Sequence, residues 1–197
     1  ALEVKNEMVI SKSDANAKMV IVDVLKLANQ DKIDLTITSN GKTAAQLKFT
    51  SNSFSAHFVK LGVNPKDGTI KILQVVTTGD AGKIISPKTA RSQMLGGVVG
   101  GVGMALSEKL EIDHKTGQII NASFGGYHVP LHSQIPPTDV WFVNKPDPNI
   151  NDIGAKGIGE IALIGLAAAI TNAVYNATGK RVRDLPITAE KLGFKTK

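Results

Sequence analysis

The sequence predicts an α+β fold, and three observations carry that expectation. Strand-like and helix-like stretches are mixed without regular βα alternation. Two polar turns ending in glycine, Asn64–Gly68 and Asp113–Gly117, each lie between extended apolar runs, as in hairpins. Two longer stretches, one dense in glycine and one in Ala, Leu and Ile, have the texture of buried helices. No linker separates independent cores, so the 197 residues are expected to form one domain.

Taken in order, Leu2–Ile10 reads as a short strand pair around a polar turn. Ser13 or Asp14 is placed to cap a helix over about 17–29, whose apolar face would hold Val20, Ile21, Val24, Leu25, Leu27 and Ala28. Asp34–Thr38 alternates as a strand, Asn40-Gly41 turns, and Gln46–Thr50 alternates again. Ser55–Val63 and Ile70–Thr77 form the first hairpin, with Val59, Leu61 and Val63 on one face. A long helix is expected from about Pro87 to Glu108, with proline suited to its first turn. The second hairpin joins Leu110–Ile112 to Ile119–Phe124. Residues 125–152 form a proline-stiffened crossing segment in which only Thr138–Val143 reads as a strand. A helix over about 160–178 ends at Gly179 as its C′ residue, and a short helix begins at Thr188.

Composition narrows the function classes. The chain has no cysteine, which excludes disulfides, thiolate metal sites and iron–sulfur clusters ligated by these residues. The net charge of +6 comes almost wholly from scattered lysines without interleaved aromatics, a solvated surface rather than a nucleic-acid face. The longest apolar run, Ile161–Ile170, is too short for a membrane span, and no signal peptide is visible at Ala1. These features point to a cytoplasmic protein. A start at Ala1 on a strand points to a piece of something longer.

Two glycine-rich elements stand out. The first is Gln93-Met94-Leu95-Gly96-Gly97-Val98-Val99-Gly100-Gly101-Val102-Gly103, with five glycines in eight positions. Each glycine inside a helix costs about 1 kcal/mol relative to alanine. Their four-residue spacing builds a face without side chains, suited to close helix packing, to approach of a flat ligand, or to both. It is neither a P-loop nor a dinucleotide fingerprint. Gln93, one turn before Gly97, can donate to and accept from a polar heterocycle. The second element is Gly154-Ala155-Lys156-Gly157-Ile158-Gly159-Glu160 at the head of the apolar helix. It offers one carboxylate, either an ordinary first-turn charge or an enclosed acid tuned as a base by desolvation. His57 reads as a packed strand histidine, His114 as a solvated turn residue, and His128 and His132 lack an acid at metal spacing. No metal site is expected from protein ligands, and no nucleophile elbow is present.

The ordered set Ser55-Ala56-His57-Phe58, Asp80-x-Gly82, Pro87, Gln93 with the glycine helix, Tyr127, and Gly154-x-Lys156-Gly157-x-Gly159-Glu160 resembles the C-terminal part of the molybdenum-binding subunit of the xanthine dehydrogenase/aldehyde oxidoreductase family. The ending Asn172–Thr188 is similar to the bacterial aldehyde oxidoreductase branch. The likeness covers about residues 50–190, and residues 1–50 match more loosely. It implies an oxidoreductase acting on aldehydes or N-heterocycles. Glu160 would be the general base that deprotonates the molybdenum-bound hydroxyl attacking the substrate carbon. Gln93, Gly97, Lys156 and Gly157 would contribute to the surface that binds molybdopterin, the cytosine dinucleotide form being one option. The implied partners are the rest of the molybdenum subunit and iron–sulfur and FAD subunits or domains. The family's upstream cofactor loops are absent here, so the isolated chain is expected to bind no molybdenum and to be inactive. The competing expectation is a non-catalytic assembly module that docks through its glycine helix and proline-rich loop.

Overall fold

A computed structural model describes residues 1–38 and 46–195, and its elements are the α+β mixture that the sequence predicts. The chain divides into two units, 1–41 and 42–197.

In the first unit, β1 (Leu2–Lys5), β2 (Met8–Ser11) and β3 (Lys18–Val20) form an antiparallel meander. The turn between β1 and β2 is Asn6-Glu7, both residues at positive φ, the geometry of a two-residue hairpin loop. Helix α1 covers only Ile21–Leu27. The expected start near residue 17 is wrong because Lys18–Val20 pairs with Met8–Ile10 instead. Asp14 does not cap the helix; its carboxylate accepts from the Asn16 amide at 2.9 Å within a turn. Asp34–Thr38 forms no strand, and Gln46–Lys48 is a single 3-10 turn rather than a strand. The Asn40-Gly41 turn lies outside the described residues.

The second unit is built on β4 (Phe54–Val63), β5 (Ile70–Asp80) and β6 (Thr138–Phe142). β4 and β5 are the predicted hairpin, and β6 adds parallel to β5. A parallel neighbour needs a crossover, and α2 (Pro87–Leu106) lies within it. Ser86 caps α2 by accepting from the Thr89 amide, with Pro87 at the first turn. The apolar C-terminal helix is broken at Gly165 into α3 (Ile161–Ile164) and α4 (Leu166–Thr178). Gly179 ends α4 in the left-handed conformation, φ 70°, as expected of a C′ glycine. Residues 161–178 are long and apolar enough to cross a membrane by length and composition. Their buried side, including Leu166, Ile170 and Val174, is core of this unit.

That core joins Ile72 and Val75 of β5, Val98, Val102 and Ala105 of α2, and the buried side of α4. Val59, Leu61 and Val63 pack onto it from β4, on the face the alternation predicts. The other face of the sheet exposes Phe58 and Trp141. The second hairpin is reduced to one bridge, Ile112 to Ile119. The Asn121 side chain occupies the next ladder position, accepting from Glu111 N at 2.9 Å and donating to Lys109 O at 2.7 Å. The expected helix from Thr188 is a 3-10 turn at Glu190–Leu192.

Candidate functional site

The Gly154–Glu160 loop is tied to the end of β5 by main-chain bonds. Lys83 N donates to Gly154 O at 2.8 Å, and Lys156 N donates to Ala81 O at 2.8 Å. Gly82, φ 65°, and Ala155 form an isolated antiparallel bridge. A Cβ on Gly82 would run into the Gly154 carbonyl, so this close approach of two backbones requires glycine. Asn151 Oδ1 accepts from the Gly154 amide at 2.7 Å, and its Nδ2 donates to Ala155 O at 2.8 Å.

Lys156 does not face outward. Its side chain is 8% exposed, and Nζ lies 3.1 Å from Asp80 Oδ1 and 5.8 Å from the Phe54 ring centre. The Gly82 amide holds the Asp80 carboxyl below the usual aspartate range. Burial opposes this, and the Lys156 ammonium adds to it. Asp147, hydrogen-bonded by Ser51, is lowered by that bond first and by Lys156 last among its causes. Lys156→Met should therefore lower stability by about 1 kcal/mol at neutral pH, a modest figure because Asp80 can rehydrate. A carboxyl lowered by folding contributes stability above its unfolded pKa and loses it as pH falls through the folded one. The Tm difference between wild type and Lys156→Met should thus be full at neutral pH and shrink below about pH 3.8, the ordinary aspartate value. A difference unchanged at acid pH would exclude the Asp80 pair as its cause.

Glu160 is the N-cap residue of α3, and its side chain makes no capping bond. The carboxylate is exposed and has no hydrogen-bond or ion-pair partner among the described residues. Of the two readings of Glu160, the enclosed acid is thus not formed by this chain alone. Gln93 is also exposed and comes close: its Oε1 lies 3.9 Å from where a Cβ on Gly159 would sit. Gly96, Gly157 and Gly159 are exposed as well, and a Cβ on Gly96 or Gly157 would meet nothing within 4 Å.

Gly97 has a different setting. A Cβ there would stand 2.7 Å from Ala162 Cβ and 2.9 Å from Leu163 N. At Gly100 and Gly101 it would strike Leu163 Cδ1 at 2.6 Å and Leu166 Cβ at 2.7 Å. This side of α2 is the seat of α3 and the start of α4, so the two glycine motifs meet by helix packing. The turn before this contact, Gln93 and Gly96, stays open.

The sequence reading missed a polar row under α3. Ser53 Oγ donates to Gly157 O at 2.5 Å and Ser55 Oγ to Ile161 O at 2.6 Å. His57 is half-buried, with Nε2 3.0 Å from Ser55 Oγ and Nδ1 2.9 Å from Oγ1 of the fully buried Thr77. Burial holds the His57 pKa below its usual value, against the raising effect of the Ile161 carbonyl. Ser53, Ser55 and His57 sit at two-residue spacing, and that period was the available signal.

A cavity of about 240 Å³ adjoins Gln93, lined also by Ala81, Ser86, Thr89, Lys156 and Ile158. A larger one of about 770 Å³ lies elsewhere, between β5, the end of α2 and Ile135–Pro137. Among the described residues, no group of three or more His, Cys, Asp or Glu side chains is placed to hold a metal.

The sequence model of the molybdopterin cofactor-binding domain matches residues 1–136, more than half of the chain. The chain belongs to the molybdopterin cofactor-binding domain family. It is 45% identical over 145 residues to the aldehyde oxidoreductase molybdenum-binding subunit PaoC of Escherichia coli K12, covering 74% of this chain and 20% of that protein. The chain thus spans about a fifth of the curated relative's length. The crystal structure of the aldehyde oxidoreductase from Desulfovibrio desulfuricans matches 71% of this chain and 15% of its own, with a TM-score of 0.64 and 34% identity. Quinoline 2-oxidoreductase from Pseudomonas putida 86 shares the fold over 98% of this chain and 25% of its own, with a TM-score of 0.74 at 18% identity. The family match ends at Pro136, before the Glu160 loop.

Proposed function

We propose that this molybdopterin-binding domain is part of a molybdenum hydroxylase that oxidises aldehydes or N-heterocycles. Its Glu160 would serve as general base, and Gln93 would hold the cofactor. The observation that supports this is the approach of Gln93 Oε1 to Gly159, which brings an amide from one motif to the residue next to Glu160 in the other. Molybdopterin, in its plain or cytosine dinucleotide form, would supply a metal centre able to accept two electrons. Gln93 would donate to and accept from the heterocycle, whose rim of donors and acceptors suits a neutral amide. Gly96, Gly157 and Gly159 leave room for a flat group. Gly97 and Lys156 would act one step back, the first by seating α3 and the second by tying the loop to Asp80. Glu160 would take the proton that the attacking oxygen nucleophile loses. Its exposure in this chain calls for enclosure by cofactor, substrate and the rest of the protein.

The whole-protein partners belong to the same proposal: the remainder of the molybdenum subunit, then iron–sulfur and FAD subunits or domains. The exposed aromatic sheet face at Phe58 and Trp141 is compatible with cover by further polypeptide.

Gly96→Ala separates cofactor approach from packing. Nothing stands within 4 Å of the added methyl, so the cofactor-free protein should gain up to about 1 kcal/mol of stability from helix propensity. Molybdenum and pterin content of the full-length protein should fall. Metal and pterin analysis beside thermal melts checks both. Full cofactor content in Gly96→Ala and in Gln93→Leu would sink the proposed surface.

A further inference from the structure

α3 is four residues long, far too short to be stable by itself, since helix nucleation alone is unfavourable. Whatever fixes the first turn after Glu160 must come from outside it. α2 supplies packing through Gly97 and Gly100. β4 supplies hydrogen bonds, and their directions can be deduced.

The Ser55 hydroxyl has one proton, and it is committed to the Ile161 carbonyl at 2.6 Å. Its contact with His57 Nε2 at 3.0 Å therefore requires the nitrogen to donate. Burial disfavours the charged ring, so His57 is the neutral Nε2–H tautomer, and Nδ1 accepts from the Thr77 hydroxyl at 2.9 Å. The chain runs one way: Thr77 to His57, His57 to Ser55, Ser55 to the Ile161 carbonyl. The ring also fills the space over the helix junction, because a Cβ on Gly165 would lie 2.6 Å from His57 Cδ2. One side chain thus reaches both ends of α3, through Ser55 at Ile161 and by direct contact at Gly165.

We propose that His57 is a positioning residue for Glu160. Its neutral Nε2–H tautomer orients Ser55 to hold the Ile161 carbonyl, and the ring braces the Gly165 junction, so that the turn carrying Glu160 keeps one geometry. This rests on the reading of Glu160 as the general base. A base displaced by about 1 Å can lose on the order of 10²-fold in rate.

The test uses the full-length protein loaded with cofactor. His57→Phe keeps a ring over Gly165 and removes both hydrogen bonds. It should lower kcat by roughly 10- to 100-fold, with KM and molybdenum content within about threefold of wild type. His57→Gln, which can still place a donor near Ser55, should recover part of the loss. Ser55→Ala cuts the last link and should resemble His57→Phe; it also serves if His57→Phe does not fold. Independently of turnover, amide hydrogen exchange over 161–165 should speed up in His57→Phe and Ser55→Ala, and imidazole nitrogen NMR should show Nε2 protonated. If Glu160→Gln abolishes turnover while His57→Phe and Ser55→Ala keep wild-type kcat and exchange, the positioning role is overturned and the base survives. If Glu160→Gln itself keeps turnover, the base reading falls, and the positioning role with it. Equal loss in His57→Phe and His57→Gln with a lowered global Tm would also overturn the proposal in favour of a general structural role.

Discussion

Glu160→Gln in the full-length, cofactor-loaded protein is expected to keep fold and pterin and to lose about 10²–10⁴-fold in kcat. Glutamine has nearly the shape of glutamate but cannot accept a proton as a base. The structure favours a clean experiment. The carboxylate is exposed, has no ion-pair or hydrogen-bond partner among the described residues, and does not cap α3. No native contact is lost with the charge, so the stability change should fall below the roughly 0.3–1 kcal/mol that a stabilising helix-end charge would give. A catalytic Glu160 moves kcat and leaves Tm almost still; a first-turn charge does the reverse. Turnover within about threefold of wild type in a fully metallated variant would exclude the catalytic role, on the same rate scale.

Gly97→Leu and Gly101→Leu are expected to produce the largest losses of stability in the α2 contact. Helix propensity alone would reward either change by up to about 1 kcal/mol. Sterics oppose it more strongly. At Gly97 the first added carbon would already stand 2.9 Å from the backbone nitrogen of Leu163, which cannot move without moving α3. At Gly101 it would stand 2.7 Å from Cβ of the fully buried Leu166. Overpacking of this kind costs about 1–3 kcal/mol, occasionally more. For a chain of this size a net loss of about 2 kcal/mol lowers Tm by roughly 4–8 °C. Gly97→Leu should also shift Glu160, because Ala162 and Leu163 belong to the turn that follows it. A melting curve identical to wild type would refute the close contact.

Much of the fold was legible because local chemistry and tertiary context agree. The β4–β5 hairpin has alternation, a polar Asn64–Gly68 turn and an apolar row that the core accepts. α2 begins where Pro87 says it should, and α4 ends at the glycine suited to a left-handed cap. The errors fall where alternation was present but, among the described residues, no ladder formed. Asp34–Thr38 and Gln46–Thr50 alternate, yet Asp34–Thr38 joins no strand and Gln46–Lys48 closes a 3-10 turn in which Phe49 N donates to Gln46 O. Lys18–Val20 went the other way: it has a helical apolar pattern, but β2 offered it a ladder. The second hairpin lost its ladder to the Asn121 amide, which satisfies the main chain locally.

For the site, the sequence by itself determined which residues stand out as candidates: the lone acid Glu160 among glycines, the amide Gln93, and the two glycine-rich elements. Those are properties of side-chain type and order along the chain. Only the tertiary structure decided their division of labour. The glycine helix offers one bare face in sequence, but α3 occupies its Gly97, Gly100 and Gly101 stretch and leaves the turn before it, with Gln93 and Gly96, open. Lys156 reads as part of the cofactor-binding loop, but Asp80, 76 positions earlier, draws its side chain inward. Ser55 reads as part of a family-like motif and His57 as a packed strand histidine, and they reach the turn after Glu160 only because β4 passes beneath it. The physical reason is common to all three. A hydrogen bond, an ion pair or a steric contact depends on distances of a few ångströms between residues far apart in the chain, and only the packing of helix against sheet sets those distances.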